Sequence, residues 1–286
     1  MATRGRARAA SEVPAGFRER SGAGQRIVFA EALAEDLEAL GWLGPGGFER
    51  IGSGGVLGET GRGETVRCAL PRSGVTIVVR SVLHGGLFGG FLRGALRSPE
   101  RAFRELAVTA ALREAGAPVP QPALAATRRA GLAWNARVAT VFEPDAPDVV
   151  AFLARDPAPA AIVRAAEACG RAVRRFHDAG GTHADLHVKN LLLRAAGEAF
   201  EAIVVDLDGA GFGEPPDAAR RMHELARLHR SARKRGLGDQ IGFEANRALL
   251  HGYVGSDAAL GAALSRHWPR ERRRVAVHAL GYRKDE

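Results

Sequence analysis

The sequence predicts an α+β fold with two lobes, a small β-rich N-terminal lobe and a larger helical C-terminal lobe. Short strand-like runs, separated by glycine and proline, dominate the first half of the chain. Helical periodicity prevails from residue 158 onward. Residues 144–147 connect the two patterns and contain two prolines, which extend neither a helix nor a strand. Two lobes joined in this way favour a ligand site between them.

Four parts of the chain follow from this pattern. Residues 1–24 are rich in Arg, Ala, Gly and Ser and lack a clear period, so we predict a flexible basic tail. We assign 25–143 to the N-lobe, 144–147 to a hinge and 148–286 to the C-lobe. The sequence contains no internal repeat.

The N-lobe segments alternate between helical and strand-like patterns. Leucines at helical spacing predict a helix over 31–40, and a second helix runs from Pro99 to about Ala115, before Gly116. The predicted strands are 65–70, 75–80 and 137–143, and the first two are joined by a β-turn at 71–74.

The C-lobe begins with a helix that starts at Ala158 and continues through His177. Short strands are predicted near 191–193 and 202–205. Residues 217–286 are mostly helical and are interrupted by Gly236 and Gly238.

Composition limits the possible partners. The 286 residues carry a net charge of +9, which favours anionic partners. Aromatic residues are sparse around the basic stretch 220–235, which argues against nucleic acid. Cys68 and Cys169 lack metal-ligand spacing, so we expect buried, inert thiols in a reducing cytoplasm. No run of about 18 apolar residues occurs, so no membrane span is expected.

The most informative segment is His183–Asn190, which has the form H-x-D-x-x-x-x-N. An apolar run, Ile203–Val205, follows and ends at Asp206. An Asp followed five residues later by Asn, and then an Asp after a strand, is typical of kinase-type phosphotransferases. We therefore predict that Asp185 is the catalytic base and that Asn190 and Asp206 hold Mg²⁺, which prefers hard oxygen ligands.

The first half offers candidates for binding the ATP phosphates. Glycines let backbone N–H groups approach phosphate oxygens, and Gly61-Arg62-Gly63 precedes a predicted strand. The upstream cluster Gly52–Gly55 is an alternative. Arg80 stands where such enzymes place a strand cation that grips the phosphates, and Glu105 is its expected helical partner.

Three further features concern the catalytic loop and the helix that follows it. Lys189 is expected to contact the transferred phosphoryl group, although it could instead touch the acceptor or be merely solvated. His183 is expected to pack the loop against the metal-binding segment. Spacings of 7, 3 and 4 place four cations on one face of the helix near 217–235, either to meet an anionic lipid or phosphosugar surface or to face solvent; they are Arg220, Arg227, Arg230 and Lys234.

With these residues in place, His183–Leu193 resembles the catalytic loop of the lipopolysaccharide kinases, particularly those that act on 3-deoxy-D-manno-octulosonic acid (Kdo). The resemblance covers roughly residues 55–235. The other stretches that carry it are Val79-Arg80 with Gly85-Gly86-Leu87, Gly61-Arg62-Gly63, Arg101–Glu105 leading to Glu114–Pro120, and Leu225–Ser231.

The resemblance implies a protein-kinase-like fold and ATP- and Mg²⁺-dependent phosphorylation of the 4-hydroxyl of Kdo on lipid A. It also implies a peripheral location on the cytoplasmic face of the inner membrane. The expected partners are Kdo–lipid A, or a related anionic glycolipid, and the anionic membrane surface. Neither a nucleic acid nor a protein substrate is expected.

Three departures bear on these expectations. His84 replaces the Arg that the family commonly has before Gly-Gly, which puts a phosphate or substrate contact there in doubt. Ala184 replaces the Arg of regulated protein kinases, and no Ala-Pro-Glu segment follows Asp206. The last two argue against a protein substrate and against activation by loop phosphorylation.

Two other functions are compatible with the sequence. A kinase for another hydroxyl, such as that of a heptose or an aminoglycoside, would use the same catalytic loop. A cationic antibiotic would require an acidic acceptor pocket, which the basic stretch 220–235 disfavours. A non-catalytic binding module is disfavoured because Asp185, Asn190 and Asp206 are all present.

Overall fold

The computed structural model describes residues 13–58, 65–82 and 98–282. The chain divides into two compact units. The first ends at Ala111 and also includes Pro120–Glu143, whereas the second comprises Leu112–Val119 and the chain from Pro144. The first unit is rich in strands and the second in helices, so the predicted α+β class is confirmed.

The first unit is built on an antiparallel sheet with the strand order β1-β2-β6-β7-β5-β4-β3. Its strands are β1 (Phe17–Gly22), β2 (Gln25–Ala30), β3 (Val56–Gly58), β4 (Thr65–Ala69), β5 (Thr76–Ser81), β6 (Pro122–Ala130) and β7 (Ala133–Val141). Its helical segments are a 3₁₀ turn (Glu31–Leu33), α1 (Ala34–Ala39), α2 (Gly47–Arg50) and most of α3 (Glu100–Glu114).

Both faces of this sheet are covered by apolar side chains. Leu37 and Trp42, from the segment around α1, pack on one face. Phe103 and Leu106 of α3 pack on the other. This arrangement fixes α3 against the sheet and brings its Glu105 to Arg80 of β5.

The prediction of a flexible tail over 1–24 is wrong for its last part. Residues 17–22 form β1, which pairs antiparallel with β2. Nearly all β1 residues are exposed, and the strand is held by backbone pairing and by the Arg26–Glu19 ion pair, in which nitrogen and oxygen are 2.9 Å apart. An exposed edge strand needs no apolar alternation, so the pattern offered no strand signal.

The second unit contains the predicted helices and two small two-stranded sheets. Its elements are α4 (Val149–Leu153), α5 (Pro159–Asp178), β8 (Gly181–Thr182), β9 (Leu191–Ala196), β10 (Ala199–Val204), β11 (Gly211–Phe212), α6 (Ala218–Lys234), α7 (Gly238–Val254) and α8 (Ala258–Tyr282). The two sheets are β9–β10 and β8–β11. Across the described ranges, none of the helices has the length and apolarity that crossing a membrane requires.

Helices α5 and α7 pack so closely that their contact requires glycine. A Cβ atom at Gly170 would collide with the Leu249 carbonyl, and one at Gly252 would collide with the Glu167 carbonyl. The close approach buries Tyr253 of α7 completely against α5. The predicted burial of both cysteines is confirmed, and burial raises the pKa of Cys169 to about 12.

Candidate active site

The predicted catalytic loop lies in the second unit, between the short strand β8 and the hairpin of β9 and β10. It ends in a 3₁₀ turn, Val188–Asn190, directly before β9. The side chain of Asp185 is 72% exposed. An exposed carboxylate on a loop anchored at both ends is accessible to a substrate hydroxyl, as a general base must be.

A closed ring of hydrogen bonds holds this loop to the segment before Asp206. Nδ1 of His183 accepts from the Asp185 N–H at 3.1 Å, and Nε2 of His183 donates to the Val205 carbonyl at 3.1 Å. The Val205 N–H donates to the Asn190 carbonyl at 3.0 Å. The Asn190 side-chain amide donates to the Asp185 carbonyl at 3.0 Å. The ring fixes the two predicted metal-ligand positions relative to the predicted base.

His183 is therefore a structural residue of the loop, as the sequence predicted. One ring nitrogen accepts and the other donates, which requires the neutral imidazole with the proton on Nε2. Burial lowers the pKa of His183, although the hydrogen bond to Val205 and the charge of Glu224 oppose this effect. The neutral form is thus part of the folded loop.

Protonation of His183 should destabilise the protein at mildly acidic pH. Its folded pKa lies below the unfolded value of 6.5, so the unfolded chain binds the proton first. The stabilisation that neutral His183 gives to the folded protein is complete above about pH 6.5 and is lost as the pH falls toward the pKa of His183 in the folded state. In His183→Gln, the fall in unfolding free energy between pH 7.5 and 5 should be shallower by up to about 1.4 kcal/mol per pH unit.

Urea unfolding at several pH values measures this difference. His251→Gln is the matched control, because His251 is exposed on α7. The control should keep the pH dependence of the original protein. Equal slopes in His183→Gln and the original protein would contradict the role assigned to His183.

A buried acid anchors the start of the loop. Oε2 of Glu224, on α6, accepts from the His183 N–H at 2.9 Å and lies 3.1 Å from Nε2 of His177 on α5. The other His177 nitrogen lies 2.6 Å from the Tyr253 hydroxyl on α7. Burial opposes the charge of Glu224, but the hydrogen bonds from His177 and the His183 N–H and the charges of His177 and Arg220 together outweigh it, so the pKa of Glu224 is lowered. One network therefore ties the loop to three helices.

Sequence reasoning missed this network. Glu224 lies between the buried Met222 and Leu225 on α6, so an acid within an apolar helical stripe was the available signal. The sequence indicates Ser231, three residues after Leu228, only through the family resemblance of Leu225–Ser231. Its Oγ accepts from the Val188 N–H at 3.0 Å and holds the middle of the loop.

The predicted basic face of α6 is only partly a surface. Nε of Arg220 is 2.7 Å from Oε1 of Glu224. Arg227 donates to the Ala184 carbonyl, and its Nη1 is 3.7 Å from Oδ1 of Asp185. Arg220 is therefore paired within α6 and Arg227 holds the catalytic loop, while contact of this face with an anionic surface stays a prediction.

The residues expected to hold a metal fit that role in their chemistry. The Asn190 amide nitrogen is used within the ring, which leaves its oxygen as a possible ligand. Asp206 is exposed and follows β10 after one intervening residue, Val205. Its φ of +59° is unusual for a residue with a side chain. One amide oxygen and one carboxylate suit Mg²⁺, which takes one or two protein carboxylates and completes its shell with phosphate oxygens and water.

The predicted nucleotide-binding pair lies in the first unit. Arg80 on β5 and Glu105 on α3 form a salt bridge, and Glu105 is almost fully buried. Because a buried carboxylate needs a partner, the pair holds the guanidinium in place. Gly61-Arg62-Gly63 lies outside the described residues. In the alternative cluster, a Cβ at Gly55 would collide with the side chains of Val66 and Cys68, so packing alone explains that glycine.

Lys189 lies within the 3₁₀ turn of the loop and is half-buried. It is adjacent in sequence to Asn190, so its Nζ extends from the segment that carries the predicted metal ligand. Its contact with a phosphoryl group remains a prediction.

The fold and the loop define a class of protein. A strand-rich unit with an Arg–Glu pair and a helical unit with an H-x-D-x-x-x-x-N loop are features of kinase-like phosphotransferases. The family model described as "Lipopolysaccharide kinase (Kdo/WaaP) family" matches residues 53–253. The chain belongs to this family, and the predictions of the family and of a kinase activity are confirmed.

Curated relatives agree with this assignment. The chain is 31% identical over 206 residues to a 3-deoxy-D-manno-octulosonic acid kinase of Vibrio vulnificus, an alignment that covers 69% of this chain and 83% of the relative. It is 32% identical over 146 residues to the enzyme of that name in Vibrio cholerae, covering 49% of this chain but only 60% of that protein. It is 32% identical over 186 residues to the enzyme of the same name in Mannheimia succiniciproducens, an alignment that covers 63% of this chain and 76% of that protein.

A solved structure described as "WaaP in complex with acyl carrier protein" is also similar. It is 22% identical in sequence and has a TM-score of 0.46, with coverage of 83% of this chain and 91% of that chain.

Proposed function

We propose that this protein transfers the γ-phosphoryl group of ATP to the 4-hydroxyl of Kdo on lipid A. The family assignment supports a lipopolysaccharide kinase, and a kinase of this family implies the use of ATP. The observation that carries the choice of acceptor is the 31% identity to a Kdo kinase over most of that relative's length.

Asp185 is the proposed base. Its carboxylate accepts the proton of the acceptor hydroxyl while the hydroxyl oxygen bonds to the γ-phosphorus and the bond to the departing ADP oxygen breaks. The exposed side chain and the hydrogen-bonded ring beneath it support this role, because the ring fixes the backbone on both sides of the carboxylate.

Other residues are proposed to bind the nucleotide and Mg²⁺. Asn190 and Asp206 would hold the metal, which would neutralise the phosphate charge when bound. Arg80, held by Glu105, would grip the phosphates, and Lys189 would contact the transferred group. The segment Gly61–Gly63 is the proposed phosphate cover.

The proposed setting is the cytoplasmic face of the inner membrane, where the protein would associate peripherally with anionic lipid. The net charge of +9 supports attraction to such a surface. The proposed acceptor is itself an anionic glycolipid. We also propose that residues 144–147 act as a hinge, as the prolines suggest.

The direct test is incubation of the purified protein with ATP, Mg²⁺ and Kdo–lipid A. Mass spectrometry should detect a product heavier by one phosphate, and fragmentation should place that phosphate on the Kdo 4-hydroxyl. A heptose-containing lipopolysaccharide core without free Kdo hydroxyls should not be modified. Phosphate gain on heptose alone would identify a different acceptor, and no gain on either would contradict the proposal.

A further inference from the structure

Among the described residues, Arg227 places a guanidinium beside the proposed base. Its guanidinium reaches the loop from α6, donates to the Ala184 carbonyl and places Nη1 3.7 Å from Oδ1 of Asp185. His187 approaches the other oxygen of the same carboxylate, with Nε2 3.8 Å from Oδ2. Both separations exceed hydrogen-bond length, so Arg227 lies beside the carboxylate of the proposed base without donating a hydrogen bond to it.

Arg227 has donors to spare. A guanidinium carries five N–H groups in a planar fork that matches a carboxylate. Within the described parts of the chain, Nε and Nη2 of Arg227 have no hydrogen-bond partner. The side chain is 30% exposed, so these donors are reachable from solvent.

Distances restrict what such a ligand can be. A substrate hydroxyl bound to Asp185 lies about 2.7 Å from its oxygen, and an anion bound to Arg227 lies about 2.8 Å from its nitrogen. Nη1 of Arg227 is 3.7 Å from Oδ1 of Asp185, and Nε and Nη2 lie about 2.3 Å from Nη1 within the planar fork, so the hydroxyl and the anion are at most about 11 Å apart. Groups on the same sugar ring satisfy this limit.

We propose that Arg227 binds a carboxylate on the acceptor sugar and thereby selects acidic sugars over neutral ones. This inference rests on the proposed function, because it takes Asp185 as the residue that faces the acceptor hydroxyl. It adds a specificity-determining contact on α6 to the loop residues that perform the transfer.

A purely structural role for Arg227 is the alternative, since its bond to the Ala184 carbonyl also holds the loop. Ser231 provides the comparison, because it holds the same loop through the Val188 N–H but carries no charge. Ser231→Ala should impair the loop without distinguishing one acceptor from another. Arg233→Gln removes an exposed cation from the same helix and controls for the net charge of α6.

The test compares two acceptors, Kdo–lipid A and the same glycolipid with its Kdo carboxylate converted to the methyl ester. In Arg227→Gln, KM for the acid should rise about 10- to 100-fold, because a charge-assisted hydrogen bond is lost, while KM for ATP stays within about threefold. The methyl ester should weaken binding to the original protein by a similar factor but have little further effect on Arg227→Gln. Arg227→Lys should recover part of the preference for the acid over the methyl ester that Arg227→Gln loses.

Two results would overturn the inference. Equal losses of kcat/KM on acid and ester, as expected for Ser231→Ala, would make Arg227 a positioning residue only. A rise in KM for ATP with no change for the acceptor would place the contact on the nucleotide. Arg233→Gln should match the original protein on both acceptors.

Equilibrium binding separates this inference from the proposed function. The acid and the ester are titrated against Asp185→Asn and against Asp185→Asn/Arg227→Gln, neither of which needs to transfer phosphate. Acid-selective binding that depends on Arg227 supports the inference even if the original protein transfers no phosphate to Kdo. Binding that ignores the carboxylate in both variants overturns the inference, whatever the transfer assay shows.

Discussion

Replacing Asp185 with alanine should lower phosphoryl transfer by about 10²- to 10⁴-fold and leave the fold intact. The loss of activity follows from removing the proton acceptor. The fold should survive because the carboxylate is 72% exposed and the Arg227 guanidinium and the His187 imidazole are beyond hydrogen-bond distance from it. Exposed substitutions of this kind change the free energy of unfolding by no more than about 0.5 kcal/mol.

Initial rates with Kdo–lipid A, together with thermal unfolding by circular dichroism, measure both effects. Asp185→Asn should be as inactive as Asp185→Ala, because an amide keeps the shape but cannot accept the proton. Glu198→Ala removes an exposed carboxylate between β9 and β10 and should leave both quantities unchanged. Turnover retained in purified Asp185→Ala would remove Asp185 from the role of base.

The loop was predictable because its chemistry is local in sequence. Asp185 and Asn190 belong to one short motif, and the spacing of that motif is itself the signal. The contacts that hold the loop come from distant segments. Glu224 meets the His183 N–H across 41 positions of sequence, and no local period encodes that pairing. The reactive groups of the candidate site could therefore be predicted from the sequence, but the long-range contacts that hold the loop in place could not.

In the fold, too, elements with local sequence signals were predicted and an element fixed by distant contacts was not. Helices α3, α5 and α6 have clear signals and lie close to their predicted ranges. Strand β6 was missed although it lies in the interior of the sheet, between β2 and β7. Its inner part is buried on both faces and contains alanines, which favour strands poorly, so neither alternation nor β-propensity marks it. The formation of β6 is explained by its burial between β2 and β7 in the folded sheet, which the local sequence does not encode.

Asp206 is a proposed metal ligand that also has an unusual backbone conformation. Its φ of +59° lies in the left-handed region, which costs most residues with a side chain about 1–2 kcal/mol. Glycine adopts this conformation freely, whereas alanine does not. An aspartate in this conformation next to the predicted metal site supports a functional role for its side chain.

A substitution series at Asp206 should therefore separate stability from activity. Asp206→Gly and Asp206→Ala both lose the carboxylate, and both should lose about 100-fold or more of the transfer rate, as expected when a group that stabilises developing charge is removed. Asp206→Gly should nevertheless be more stable than Asp206→Ala by roughly 1 kcal/mol, since the strain of the left-handed conformation exceeds the entropy that glycine adds to the unfolded chain. Initial rates and urea unfolding of the same preparations measure the two quantities.

Asp156 provides the matched control. It is also an aspartate with a positive φ, of +51°, and it is exposed in the turn after α4, away from the catalytic loop in sequence. Asp156→Gly and Asp156→Ala should show the same order of stability with unchanged turnover. If Asp206→Gly stays active at limiting Mg²⁺, Asp206 does not hold the metal, and the strain at that position belongs to the turn alone.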